Sequence, residues 1–184
     1  MTDDFIIDDI LSNGEPKKKK NSKRKGKRGE SDVCDLFIKR FPDQKFSRVI
    51  GSGAHAYRSN LTEAAKVIFT GDIVTPDNFR FCIEVKTGYP EIDLCSALDG
   101  GHTKIDAFLD QATKDAERIK KQPLMVWKKD RQPWIAFLKG EEAIGFYTYC
   151  LSYRGWYGIS LTLLLEQPEP FWFLPPSEPA STTN

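Results

Sequence analysis

The sequence predicts a mixed α/β domain in which a central mixed β-sheet is flanked by helices, and three features carry that prediction. Short runs rich in Val, Ile and Phe, among them KVIFTGDIV, FRFCIEVK, LMVWKK and WIAFLK, have strand length and are bounded by turn-rich segments. Two longer stretches, ESDVCDLFIKRF and HTKIDAFLDQATKDAERIKKQP, repeat apolar residues at helical spacing. The chain has 184 residues, 40% of them hydrophobic, which suits one domain with a single core and an unstructured margin.

Residues 1 to 28 read as a flexible arm, first acidic and then basic. Residues 1 to 15 hold five acids and no base, with Phe5, Ile6, Ile7, Ile10 and Leu11 as an apolar centre that suits either a docking segment for a protein partner or a frayed terminus. The run PKKKKNSKRKGKR then supplies nine bases: Lys17, Lys18, Lys19, Lys20, Lys23, Arg24, Lys25, Lys27 and Arg28. With almost no apolar residue it is expected to be disordered alone, as a solvated tail or as a cation for a polyanion. The remainder, 29 to 184, has 18 bases against 21 acids, so the domain itself is not globally basic.

Order is expected to begin near Gly29. Glu30, Val33, Phe37 and Phe41 share one helical face, which sets an acid at the first turn of an apolar stripe. It reads either as a favourable charge on the helix dipole or as an inward-facing functional acid. KFSRVIGSGAHAYRSN reads as a strand ending in a Gly-Ser-Gly loop around Ser52, where backbone amides can approach an anion, although most such loops are turns. KVIFTGDIV and FRFCIEVK then read as an antiparallel hairpin joined by TPDN.

A long connection follows, and then the second helix, with Ile105, Phe108, Leu109, Ala112, Ala116 and Ile119 on one face, Thr103 and Asp106 at its start and Lys120, Lys121 and Pro123 at its end. LMVWKK and WIAFLK, separated by DRQP, are two more strands of the same sheet. From about residue 140 the chain is aromatic-rich, with a hairpin expected at Arg154-Gly155, and core packing explains such aromatics more often than base stacking. A single domain is thus expected over 29–174, with a disordered tail at 175–184.

Four cysteines without a Cys-x-x-Cys pair, and only two histidines, suggest neither a zinc site nor a disulfide framework. The acidic N-terminus and the absence of a long apolar run point to a cytoplasmic protein with no membrane partner.

Chemistry is suggested by charged residues set into strands. Glu84 and Lys86 flank Val85 and so share one strand face. Asp72 lies on the preceding strand, 12 residues before Glu84, and Gln111 lies on the later helix. A tight turn between Pro76 and Asp77 would pair Asp72 with Phe81 and leave Glu84 roughly 10 Å away. Convergence therefore requires the chain to turn nearer Asn78, or to bulge.

Glu30, Asp72, Glu84-Val85-Lys86 and Gln111-Ala112, in this order, resemble the PD-(D/E)XK nuclease superfamily, and within it the archaeal-type Holliday junction resolvases, phage-encoded relatives included. The resemblance covers roughly residues 26 to 138, with GKRGE leading to Glu30 and GSGAHA supplying Ser52. Two departures stand out: Gly71 replaces the proline usual before the aspartate, and the connection from Lys86 to Gln111 is longer than family members need.

The resemblance implies a restriction-endonuclease-like core, and an endodeoxyribonuclease of the crossover-junction type that serves recombination and repair in the nucleoid or in a phage-infected cytoplasm. Asp72 and Glu84 offer hard oxygens suited to Mg²⁺, with Mn²⁺ as a substitute. The resemblance adds the Val85 carbonyl as a ligand, and Glu30 through a water or a second metal. Lys86 would orient the attacking water or stabilise the phosphorane, Gln111 would position that water or Lys86, and Ser52 would hold a phosphate. A branched DNA with two equivalent cuts implies a two-fold homodimer, for which the aromatic hairpin and the 87–102 loop are candidate surfaces. The alternatives are a restriction-like or nicking endonuclease on ordinary duplex, and a catalytically silent DNA-binding protein of the same fold.

Overall fold

A computed structural model describes residues 22–49, 62, 70–92, 104–140 and 150–175. Its elements are α1 (Ser22–Arg40), β1 (Ser47–Arg48), β2 (Ile73–Val74), β3 (Phe81–Thr87), α2 (Lys104–Arg118), β4 (Gln122–Lys128), β5 (Ile135–Lys139), β6 (Leu151–Tyr153), β7 (Trp156–Ser160), α3 (Leu161–Leu165) and α4 (Glu169–Trp172). Strands β3 to β7 form a five-stranded sheet in the order β3-β4-β5-β7-β6. The β3–β4 pair is parallel, with α2 as its crossover, and the other pairs are antiparallel. This is the mixed sheet flanked by helices that the sequence predicts.

Strand alternation divides the core between the two faces of the sheet. Phe81, Ile83 and Val85 of β3, with Leu124 and Val126 of β4, face the α1 side and pack on Val33, Phe37 and Phe41. Met125 and Trp127 face the α2 side and pack on Ile105, Phe108, Leu109 and Ala112. Trp172, wholly buried, closes the α1-side core against Phe37, Phe41, Phe79 and Phe81, with ring centroids 5.4 to 5.8 Å apart. Of the described aromatics in the C-terminal hairpin, Tyr153 and Trp156 are buried and Tyr157 is half-buried, which agrees with core packing for the first two.

Two expectations are corrected. The first helix begins at Ser22, ahead of Gly29, so Lys23, Arg24, Lys25, Lys27 and Arg28 belong to a helix and not to a flexible arm. Tertiary contact explains this: a Cβ at Gly29 would lie 2.1 Å from Thr87 Cγ2, so glycine lets α1 approach the end of β3. The Lys25 carbonyl accepts the Thr87 hydroxyl at 3.4 Å, and the Lys25 ammonium pairs with Asp130. Secondly, β2 forms its ladder with β1, Ser47 opposite Val74 and Arg48 opposite Ile73, and not with β3 as a hairpin.

Two further elements stand where the sequence places them. α2 covers the expected stripe, with Ile105, Phe108, Leu109, Ala112 and Ala116 buried. The β6–β7 hairpin turns at Arg154-Gly155, both with left-handed φ of 49° and 77°. Cys34, Cys82 and Cys150 are free thiols. Among the described residues no helix is long and apolar enough to cross a membrane.

Candidate active site

The site lies at the β3 edge of the five-stranded sheet, where backbone geometry brings in Asp72. Phe79 N–H donates to the Pro76 carbonyl at 3.0 Å, so the chain turns at Asp77-Asn78, as convergence of the two acids requires. Asp72 N–H then donates to the Ile83 carbonyl and the Asp72 carbonyl accepts Val49 N–H, both at 2.9 Å. The Asp72 side chain completes the ladder: its Oδ2 accepts the buried Val85 N–H at 2.8 Å. The carboxylate is thus held at the backbone between Glu84 and Lys86.

On the α2-facing side of β3, Glu84 Oε1 accepts Lys86 Nζ at 2.5 Å and Gln111 Nε2 at 2.7 Å. Gln111 Oε1 accepts Lys86 Nζ at 3.0 Å, which closes a three-residue ring of hydrogen bonds. Lys86 also lies 5.4 Å above the Phe108 ring, whose centroid is 4.8 Å from that of Tyr89 in a tilted pair. Glu84 itself is only 2% exposed.

That burial has an electrostatic consequence. Desolvation pushes the Glu84 carboxyl up to about 8, the Asp72 charge adds to the rise, and the Lys86 ammonium offsets only part of it. For Lys86 burial alone acts to lower the value, but the Glu84 carboxylate and its hydrogen bond prevail and hold the ammonium above its ordinary range. The lysine is therefore a fixed cation over neutral pH. Asp72 and Glu84 are both buried, and their oxygens could serve as ligands for a cation.

Glu30 is placed differently. Its Oε2 accepts Arg48 Nη1 of β1 at 3.0 Å, so its described partner is a guanidinium. Arg48 precedes Val49, whose N–H meets Asp72, which connects Glu30 to the Asp72 segment through β1. Ser52 and Lys17, Lys18, Lys19 and Lys20 lie outside the described residues, as does the Lys23 side chain. The Val85 carbonyl lies on the site strand. Among the described residues no group of three or more His, Cys, Asp or Glu side chains is placed to hold a metal ion.

Sequence reading missed two neighbours. Asp115, one helical turn beyond Gln111, is buried and pairs with Arg118 Nη1 at 3.0 Å. Lys121 donates to Thr75 Oγ1 and to the Pro76 carbonyl, each at 2.9 Å. Helical spacing from Gln111 could have indicated Asp115, whereas nothing in the sequence connects Lys121 with Pro76.

A carboxylate seated on the backbone of an E-x-K strand, with a glutamine from the next helix bridging the Glu and the Lys, is the arrangement that the resemblance to PD-(D/E)XK nucleases leads one to expect. The profile of the family described as "Phage putative PDDEXK endonuclease" matches residues 21–148, and the chain belongs to that family. Protein D14 of Escherichia phage T5 is 30% identical over 127 residues, spanning 66% of this chain and 73% of its own. Hjc, a Holliday junction resolvase from the archaeal hyperthermophile Archaeoglobus fulgidus, is similar in structure over 73% of this chain and 86% of its own, at 18% identity and a TM-score of 0.39. The chain is thus an endonuclease of the PDDEXK superfamily.

Proposed function

We propose that the protein is a Mg²⁺-dependent, structure-selective endodeoxyribonuclease that resolves four-way or other branched DNA junctions. The observation that carries the reading is the Asp72 carboxylate seated on Val85 N–H beside the Glu84–Lys86–Gln111 ring. Junctions are favoured over plain duplex by the order of the site residues, a helix-borne Glu30, Asp72, the E-x-K strand and then Gln111, which resembles the archaeal-type resolvases.

Asp72 and Glu84 would hold the divalent cation, with the Val85 carbonyl beside them. Two carboxylates suit Mg²⁺, which takes few protein ligands and keeps several waters and substrate phosphate oxygens. When bound, the cation supplies an activated water and neutralises charge on the phosphate. Lys86, protonated and pinned by Glu84 and Gln111, orients the attacking water and stabilises developing phosphate charge rather than taking a proton. Gln111 fixes Lys86 and Glu84 together, and Glu30 acts through Arg48 on the β1–Asp72 segment. Phe108 and Tyr89 exclude water from the lysine side.

Two symmetric cuts call for two copies of the site, so a two-fold homodimer is part of the proposal. Arg24, Lys25, Lys27 and Arg28, carried on α1, would meet junction-arm phosphates, and Ser52 would meet a phosphate near the cut.

The test compares a synthetic four-way junction with linear duplex of equal length, with and without Mg²⁺, for wild type and Asp72→Asn. Junction cleavage that requires Mg²⁺ and is abolished in Asp72→Asn, with junction binding retained, is expected. Asn keeps a carbonyl oxygen able to accept Val85 N–H, so the fold survives. Equal rates on both substrates would transfer the assignment to a duplex endonuclease, and undiminished cutting by Asp72→Asn would remove this site.

A further inference from the structure

Asp72 meets the Glu84 strand only because the intervening chain reverses at Asp77-Asn78, and that turn is tied from outside. Lys121 Nζ reaches both Thr75 Oγ1 and the Pro76 carbonyl at 2.9 Å. The same carbonyl accepts the Phe79 N–H that closes the turn, so one oxygen serves both the turn and the ammonium. Lys121 lines a small cavity with Thr70, Ile73, Thr75, Asp77, Cys82 and Ile119, residues that include the segment leading out of Asp72.

The end of α2 explains why the lysine points there. Lys121 N–H bonds the Ala116 carbonyl at 3.0 Å and Lys120 N–H the Glu117 carbonyl at 3.2 Å, the two reversed bonds of a Schellman ending. Lys120 occupies the left-handed position, with φ 55°, where glycine is usual. The ending turns the chain back under β3, where Gln122 N–H meets the Arg80 carbonyl at 2.9 Å. The helix that ends here also carries Gln111, so α2 and its cap grip both acid-bearing segments: Glu84 through Gln111, and the turn after Asp72 through Lys121.

We propose that Lys121 is a positioning residue of the active site: its ammonium pins the Thr75–Pro76 turn and thereby sets Asp72 against Glu84 at the separation that a shared divalent cation needs. The inference rests on the nuclease reading above and deepens it. A lysine that served only stability would not change how the two carboxylates bind a cation.

Isothermal titration of the full-length protein with Mn²⁺, without DNA, separates the two roles. Wild type is expected to bind and Asp72→Asn to lose binding. Lys121→Met, which keeps the stem and removes the donors, should bind Mn²⁺ about tenfold or more weakly, the usual effect of losing an outer-shell support. Its affinity for a four-way junction in the absence of metal should be unchanged. Lys121→Arg, which restores donors, should recover most of the Mn²⁺ affinity. Should Lys121→Met fail to fold by circular dichroism, Thr75→Val removes one of the two acceptors and should weaken Mn²⁺ binding in the same direction. Wild-type Mn²⁺ affinity in the folded variant, whatever its melting temperature, overturns the inference. Absence of Mn²⁺ binding by wild type would instead overturn the metal site on which it rests.

Discussion

Glu84 is a carboxyl group only 2% exposed, and its protonation reports on the site. Burial, then the Asp72 charge, raises its carboxyl from 4.5 in the unfolded reference to about 8. The folded, metal-free protein therefore keeps a proton that the unfolded chain releases, so stability is lost as pH rises from 4.5 towards about 8. Glu84→Gln removes the titrating group and keeps the shape. Thermal melts in a chelator should show the wild type falling in stability between those limits, and the glutamine variant falling less. An identical pH profile for the two would mean that Glu84 ionises normally. A cation must displace the same proton, so its apparent affinity should strengthen with pH by up to about tenfold per unit below that value.

At the scale of elements, Gly71 shows why one departure from the family pattern is tolerated. Its φ is +75°, which proline, fixed near −65°, cannot adopt. A Cβ there would lie 2.9 Å from the Ile83 carbonyl and 3.0 Å from Cys82 Sγ. Gly71→Ala should therefore cost about 1–3 kcal/mol of stability and push Asp72 off Val85 N–H. Denaturant unfolding and single-turnover cleavage should show both losses while junction binding persists, and full activity would mean that the segment tolerates displacement. The helix α2 and strands β4 and β5 were legible because periodicity determines them locally, whereas the grouping of Asp72, Glu84, Lys86 and Gln111 came from the family resemblance and their meeting depends on the turn at Asp77-Asn78. The early start of α1 was not, since Gly26, Gly29 and a run of cations read as breakers until Thr87 is packed against Gly29. Nor was the pairing of β2 with β1, or of Glu30 with Arg48, because neither contact leaves a local pattern. The helix α3 went unread because ISLTLLLE alternates apolar and polar residues before a short leucine run, a pattern that fits a strand as well as a helix.

For the whole molecule the question is where affinity for a polyanion comes from when residues 29 to 184 carry more acids than bases. On the proposed function, the first turns of α1 would supply it. Lys27 and Arg28 are exposed on a helix that is fixed against the end of β3 through Gly29 and Thr87, and the Lys25–Asp130 ion pair ties the same turn to the β4–β5 connection. Cations on a fixed helix lose less freedom on meeting phosphates than cations on a flexible arm, so their contribution should be local and countable. Each phosphate contact removed should lower the slope of log affinity against log salt by about 0.9. The double variant Lys27→Gln/Arg28→Gln should then flatten the slope for a four-way junction by up to about 1.8. Its single-turnover cleavage rate at saturating protein should match wild type, because neither side chain belongs to the Glu84–Lys86–Gln111 ring. Fluorescence anisotropy across a salt series measures the first and a quenched-flow time course the second. An unaltered slope would place the DNA away from α1, and a reduced saturating rate would place these cations in the chemistry rather than in the binding.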